Sequence, residues 1–155
     1  MEKIIEGVDY NTQLAKITLG GVVDRPGVAA EIFSALGQHG LNIELISTSL
    51  IGRGRADISF AVLESSLENV CKVLETIKDR FGTRKIDIDK DCALITIYGS
   101  MLFSTSGIAG KIFAKLSEQG INIEMISASI SALSIVVRRD KAKQAVTAIK
   151  TEFGV

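Results

Sequence analysis

Two small sets of polar and flexible residues occur twice in this chain, 80 positions apart. Gly27 and Gly107 each stand where an apolar, helix-spaced stretch begins, and Asn42 and Asn122 each follow the glycine that closes it, Gly40 or Gly120. The chemistry such places offer is recognition, not bond making. The start of an α-helix presents unpaired backbone N–H groups and the positive end of the helix dipole. A carboxylate fits there without help from a cationic side chain, and glycine lets the backbone approach closely. Asp24, beside the first loop, can accept hydrogen bonds from an ammonium or a hydroxyl. Asn42 and Asn122 bring a side-chain amide to the same kind of ligand. Each residue also has a plainer use. Asp24 equally suits a turn or a helix N-cap, and the two asparagines equally suit the bend from helix to strand. Ser47, Ser49, Ser127 and Ser129 suit the solvent face of a strand. Matched recurrence favours a pair of related sites.

Catalytic chemistry finds little support. His39 is the one histidine and sits at a helix end, where it reads as a capping or surface residue. Cys71 and Cys92 are isolated and read as part-buried small hydrophobes. No Cys/His cluster has zinc spacing, and Gly110-Lys111 lacks the upstream glycine of a phosphate-binding loop. Metal and cofactor are therefore not expected. Lys plus Arg and Asp plus Glu both number 18, a balance that gives no footprint for nucleic acid or an anionic membrane. No apolar run is long enough to span a bilayer, and MEKIIEGVDY lacks the basic-then-apolar order of a signal peptide, so a cytoplasmic location is expected.

The positioning elements follow from the repeat. Residues 26–49 and 106–129 align without a gap, and 12 of the 24 pairs are identical, among them Ile32/Ile112, Phe33/Phe113, Leu36/Leu116 and Glu44/Glu124. A tandem duplication predicts two small domains, each of about 75 residues. Alternation predicts a strand over 14–22, and Asp24-Arg25-Pro26-Gly27 then opens a helix carrying Val28, Ile32 and Leu36, with the proline near its first position. Strands follow over 42–50 and 56–63 around a Gly52-Arg53-Gly54 tip, then a helix from Ser66 with an apolar stripe to Phe81, then a strand over 85–89. The second copy repeats the pattern: strand 93–99, helix 107–119, strands 122–129 and 133–138, helix 141–153. This β-α-β-β-α-β order is the ferredoxin-like unit. The fold class is α+β, with two such units, antiparallel sheets and helices on one face. The second copy lacks a fourth strand downstream, and Ile4, Ile5 and Val8 form a spare apolar stretch upstream. Residues 3–8 are therefore expected to complete the second sheet and cover its edge. The units then comprise 14–90 and 91–155 plus 3–8, the first inserted into the second.

Several pieces carry a family resemblance: Ala15-Lys16-Ile17-Thr18, Asp24–Phe33 (DRPGVAAEIF), Asp57-Ile58-Ser59-Phe60, Asn122–Ser127 (NIEMIS) and Glu152-Phe153-Gly154. With them the chain resembles the tandem ACT regulatory region of aspartate kinases, and in particular the free-standing regulatory subunit. The resemblance implies a non-catalytic allosteric module that takes free threonine or lysine, pairs as a homodimer through its ACT units by joining sheets edge to edge, and controls an aspartate kinase catalytic domain or subunit. It also implies that the kinase's own catalytic residues lie in another domain, so that this chain does not phosphorylate aspartate by itself. Carried over position by position, one effector site comprises Asp24, Gly27, Val28 and Ala29 faced by Asn122 and Ile123. The second comprises Ser104, Gly107, Ile108 and Ala109 faced by Asn42 and Ile43. The second is expected to be weaker, because Asp24 is replaced by Ser104 and Arg25 by Thr105.

Other regulators and other functions share parts of this pattern. A small subunit of acetolactate synthase, responsive to valine, or a free-standing amino-acid sensor would carry the same Gly-x-Asn-Ile-Glu bend. An acylphosphatase would use an arginine and an asparagine as Arg25 and Asn42 are placed, but its glycine-rich signature is missing. An RNA-recognition module would stack bases on strand aromatics, for which only Phe60 and Tyr98 are available.

Overall fold

A computed structural model describes residues 3–155. The chain divides into two compact units, residues 13–90 and residues 3–12 with 91–155. The first unit takes residues 13–23 of β1 (Gly7–Val23), then α1 (Val28–Gln38), β2 (Leu45–Gly52), β3 (Arg55–Leu63), α2 (Leu67–Ile77) and residues 85–90 of β4 (Lys85–Tyr98). Its strands lie in the order β2-β3-β1-β4, with β1 and β2 both antiparallel to β3. The second unit takes the remaining parts of β1 and β4, then α3 (Ile108–Glu118), β5 (Met125–Ala128), β6 (Ala132–Arg138) and α4 (Ala142–Phe153), in the order β1-β4-β6-β5. No helix among the described residues is long and apolar enough to cross a membrane.

Each core sits between the sheet and its two helices. Period-two burial puts Ala15, Ile17 and Leu19 of β1 beside Ile58, Phe60 and Val62 of β3 on one face. Val28, Ile32 and Leu36, spaced three to four residues apart, lay one stripe of α1 on that face. The rings of Phe33 and Phe60 meet edge to face, with centroids 5.3 Å apart and planes at 82°. The second core repeats the plan with Ile95 and Ile97, Leu133 and Ile135, and Ile108, Ile112 and Leu116 of α3. Ile5 and Val8 belong to it, at 1% and 4% exposure, and the Glu6 N–H donates to the Tyr98 carbonyl at 2.9 Å.

The strands differ from expectation in their ends. Residues 3–8 and 14–22 do not form two separate strands: residues 3–6 lie outside any strand, and β1 runs unbroken from Gly7 to Val23. Residues 85–89 and 93–99 likewise fuse into β4. Between those apolar stretches lie Asp9-Tyr10-Asn11-Thr12 and Lys90-Asp91, which lose the apolar alternation but contain no glycine or proline to break an extended backbone. β2 starts at Leu45 and β5 at Met125, later than expected, because Asn42-Ile43 and Asn122-Ile123 are still part of the bend leaving the helix. The apolar stripe of α2 ends at Ile77, and Lys78–Phe81 continues as a 3-10 turn that buries Phe81.

The two helices of the repeat end in the same way. His39 and Gln119 are the C-caps, and Gly40 and Gly120 follow in the left-handed region at φ 70° and 68°. The Leu41 N–H returns to the Leu36 carbonyl and the Gly40 N–H to Gly37; Ile121 returns to Leu116 and Gly120 to Ser117. This is the Schellman arrangement, with Leu41 and Ile121 buried as its hydrophobic contact. His39 closes its own helix through Nδ1 and the Ala35 carbonyl, 2.8 Å apart. Glycine thus has opposite worth at two nearby places. Gly110→Ala, in the first turn of α3 with open space around it, should raise stability by about 0.5–1 kcal/mol. Gly120→Ala should lower it by about 1–2 kcal/mol through the left-handed strain. Urea unfolding of the two variants, read for opposite shifts of midpoint at constant slope, checks this.

Candidate functional site

Every expected site residue lies at one of the two corners of α1 or α3. At the first corner the chain leaves β1 through Asp24, Arg25 and Pro26 and enters α1 at Gly27. Gly27 is the N-cap, left-handed at φ 92°, and no side chain caps the helix. Pro26 therefore precedes the cap and stands two places before Val28, the first helical residue, and Asp24 is not the N-cap. The Asp24 N–H donates to the Gly54 carbonyl at 2.8 Å, and its carboxylate is exposed. The first full helical bond runs from the Glu31 N–H to the Gly27 carbonyl at 2.9 Å. The Val28 N–H makes a long bond of 3.4 Å to Arg25. The N–H groups of Ala29 and Ala30 precede the helical ladder and point out of the helix start. Val28 itself anchors the corner, 4% exposed in the core, while Ala29 is exposed.

The second corner has the same backbone and a different lining. Gly107 caps α3 at φ 82°, again with no side-chain cap, and the Lys111 N–H donates to its carbonyl at 3.0 Å. Ile108 is buried and Ala109 half-buried. The Ser104 hydroxyl turns back to the Met101 carbonyl at 3.3 Å, within its own turn. A Cβ added at Gly27 or Gly107 would meet nothing within 4 Å. Both glycines are thus needed for their φ, and the space above both helix starts is open.

The asparagines lie at the far corners. Asn42 and Asn122 are exposed, and Ile43 and Ile123 pack half-buried against their cores. Asn122 and Ile123 line an open groove of about 420 Å³ with Phe113, Ser117, Gly120 and Ile121. Just beyond, the N–H groups of Glu44 and Glu124 donate to Ala61 and Val136, both at 2.8 Å. The Glu124 carboxylate is held by Arg138 Nη1 at 3.3 Å, and Arg138 Nη2 reaches Asp91 at 2.9 Å. Within either unit the glycine set and the asparagine set stand at opposite ends of one 11-residue helix, roughly 16 Å apart. One unit therefore does not bring its own glycine and its own asparagine onto one small ligand.

A larger open groove of about 610 Å³ runs along α3 and α4, walled by Lys115, Gln119, Lys143, Gln144 and Glu152 among others. It contains none of the expected residues. Its Lys115 ammonium is engaged by Glu118 at 2.9 Å and Glu152 at 3.2 Å, and these two bonds hold its pKa above the ordinary lysine value. Among the described residues no group of three or more His, Cys, Asp and Glu could hold a metal ion.

The sequence reading did not anticipate how the first corner is fixed. β1 carries a bulge: Leu19 pairs with Ile58 but Val22 with Ala56, one residue out of step. At the bulge, left-handed Gly21 (φ 66°) gives its N–H to Asp57 Oδ1 at 2.9 Å, and its carbonyl accepts from Arg55 Nη1 at 3.0 Å. The Gly20-Gly21 pair inside an otherwise alternating strand was the available signal.

The sequence matches the ACT domain family twice, over residues 17–77 and 95–153. The chain belongs to the ACT domain family. Each match falls within one of the two compact units. The chain is 32% identical to an aspartate kinase of Stutzerimonas stutzeri over 98% of its own length and 37% of that protein. It superimposes on the ligand-free regulatory subunit of aspartate kinase from Thermus thermophilus with a TM-score of 0.90 and 30% identity, covering 97% of this chain and 99% of that one. Against the aspartate kinase of Synechocystis the TM-score is 0.93 at 34% identity, over 99% of this chain and 28% of that one. The chain thus spans little more than a third of the curated relative it matches, and it is a regulatory ACT region of the aspartokinase type.

The loop before α3 is tied to the N-terminal segment. Glu6 Oε1 accepts from the Ser100 N–H at 3.0 Å and from the Ser100 hydroxyl at 2.7 Å, and these bonds, the backbone one first, hold its pKa below the ordinary glutamate value. A depressed folded pKa stabilises the fold above the unfolded value and ceases to do so as pH falls through the folded value. Ser100→Ala should raise the Glu6 titration midpoint part of the way back, since the backbone donor remains. Carbon-detected NMR titration of the Glu6 carboxyl checks this; an unmoved midpoint would show that the hydroxyl contributes nothing.

Proposed function

We propose that this chain senses a free amino acid and, through it, controls an aspartate kinase. The observation that carries the proposal is the pair of matched helix starts, each capped by a left-handed glycine and by no side chain. α2 and α4 also lack a side-chain cap, so the left-handed glycine is what sets these two helix starts apart. The donors left open suit a ligand carboxylate. In the effector reading each compact unit acts as one ACT unit. The first site is Asp24, Gly27, Val28 and Ala29 faced by Asn122 and Ile123, and the second is Ser104, Gly107, Ile108 and Ala109 faced by Asn42 and Ile43. The roughly 16 Å between the two ends of each helix supports a site shared between units. The effector is threonine or lysine, the setting is cytoplasmic, and the kinase is a separate subunit or another domain of the same polypeptide.

The working assembly is a homodimer. β2 and β5 are the outermost strands of their units, and apolar residues stay uncovered at matched places: Ile46 at 48% and Leu50 at 71% exposure in β2, Ile126 at 50% in β5 and Ile130 at 87% in the bend just after it. Such edges are usually covered, and a second copy joining sheet to sheet would cover them. Ligand binding then shifts the kinase only insofar as the effector prefers one arrangement of that interface over another.

Calorimetry of the purified chain against threonine, lysine and valine is the deciding measurement. Heat with threonine or lysine supports the aspartate-kinase reading. Heat with valine alone moves the chain to a different regulated enzyme, and silence with all three removes the free-standing sensor. Asp24→Ala should weaken the bound amino acid about tenfold or more, the worth of a hydrogen bond to a charged group. Ser104→Ala should cost less, because its hydroxyl is already taken up within its own turn; equal losses contradict the inequality of the two sites. Separately, Ile46→Lys should turn a dimer into a monomer in sedimentation velocity at micromolar concentration.

A further inference from the structure

The bulge in β1 sits two residues before Val23 and three before Asp24, so whatever sets it sets where the first corner begins. Gly21 leaves the ladder there, and both of its backbone groups are taken by side chains of the adjacent strand: the N–H by Asp57 and the carbonyl by Arg55. After the bulge, Val22 and Val23 pair again with Ala56 and Arg55, and the Asp24 N–H reaches Gly54. A one-residue change of register would turn each of these side chains to the opposite face of the sheet. The Arg55 guanidinium also donates from Nη1 to the Gly82 carbonyl at 3.1 Å, beyond α2, so one side chain joins the bulge to a second loop. Among the described residues the second unit has no counterpart. Eighty positions on, Gly21 becomes Met101, which lies in a turn closed by bonds from Leu102 to Gly99 and from Thr105 to Met101. The hairpin after β5 is five residues shorter and turns at Ile130-Ser131, so Arg55 has no matched residue there, and Ala132 stands where Asp57 does.

We propose that Arg55 and Asp57 are positioning residues of the first effector site. Through the Gly21 bulge they fix the Asp24–Ala29 corner, and so they tune ligand affinity at that site and not at the other, without touching the ligand. The proposal deepens the effector reading above and rests on it for the ligand.

The test uses the whole chain, as Asp57→Ala and as Asp57→Asn, whose amide oxygen still accepts from Gly21. In unliganded protein, Asp57→Ala should move the amide resonances of Gly21, Asp24 and Gly27–Ala29 and leave those of residues 104–109 in place, while Asp57→Asn should leave both sets near their wild-type positions. In calorimetry with threonine and with lysine, Asp57→Ala should weaken the amino acid that binds about tenfold and Asp57→Asn less than about threefold. Unmoved corner amides in Asp57→Ala, or equal losses in the two variants, overturn the proposal. Should Asp57→Ala fail to fold, Arg55→Met against Arg55→Lys makes the same comparison. If the wild-type chain gives no heat with either amino acid, the effector reading fails, and the amide shifts alone decide the positioning role.

Discussion

The left-handed glycines at the two ends of α1 and α3 are the constraint on which the rest turns. Gly27 and Gly40 bracket the first helix and Gly107 and Gly120 the second, with φ between 68° and 92°. A side chain at such a φ costs about 1–2 kcal/mol, so the length of each helix is set sharply. That length brings three core positions, Val28, Ile32 and Leu36 or Ile108, Ile112 and Leu116, onto one stripe. It also delivers the returning chain to β2 or β5 by the same bonds, Glu44 to Ala61 and Glu124 to Val136. The caps differ in what they leave behind. At the C-terminal ends the Schellman bonds take up the last carbonyls. At the N-terminal ends nothing from a side chain takes up the first donors. The structural economy at one end and the open chemistry at the other come from the same residue type.

Most of the architecture was legible because the two copies check each other. A stripe such as Ile32-Leu36 is weak evidence once and strong evidence when Ile112-Leu116 repeats it. The glycine-asparagine bend was legible for the same reason. What misled was the use of hydrophobic alternation to find strand ends. Asp9-Tyr10-Asn11-Thr12 reads as a break because its side chains are polar, yet backbone pairing depends on N–H and C=O groups, which those residues carry as well as any other. The opposite error affects Asn42-Ile43 and Asn122-Ile123. They read as strand because isoleucine follows, although they lie between the last helix-closing bonds, at Leu41 and Ile121, and the first bonds to the next strand, at Glu44 and Glu124.

The candidate site was legible residue by residue and not as an assembly. Gly27, Val28 and Ala29 share a corner because they are consecutive, and the sequence suffices for that. Which asparagine faces them is a tertiary question, and the span of an 11-residue helix excludes only the one in their own unit. The bulge clamp was hidden for a related reason. Gly20-Gly21 announces a bulge, but nothing local says that Asp57 and Arg55, more than 30 positions away, supply its bonds.

The two corners share one backbone plan and differ in both lining and support. The first has a carboxylate at Asp24 and a corner set by side chains of the neighbouring strand. The second has a hydroxyl at Ser104 that is already engaged, and its loop is anchored through Glu6 and Ser100 at an exposed place. The second loop is also closed by backbone bonds from Leu102 to Gly99 and from Thr105 to Met101, whereas the first corner depends on side chains of β3 at a bulge. The effector reading therefore treats them as two sites of unequal support, not as two copies of one site.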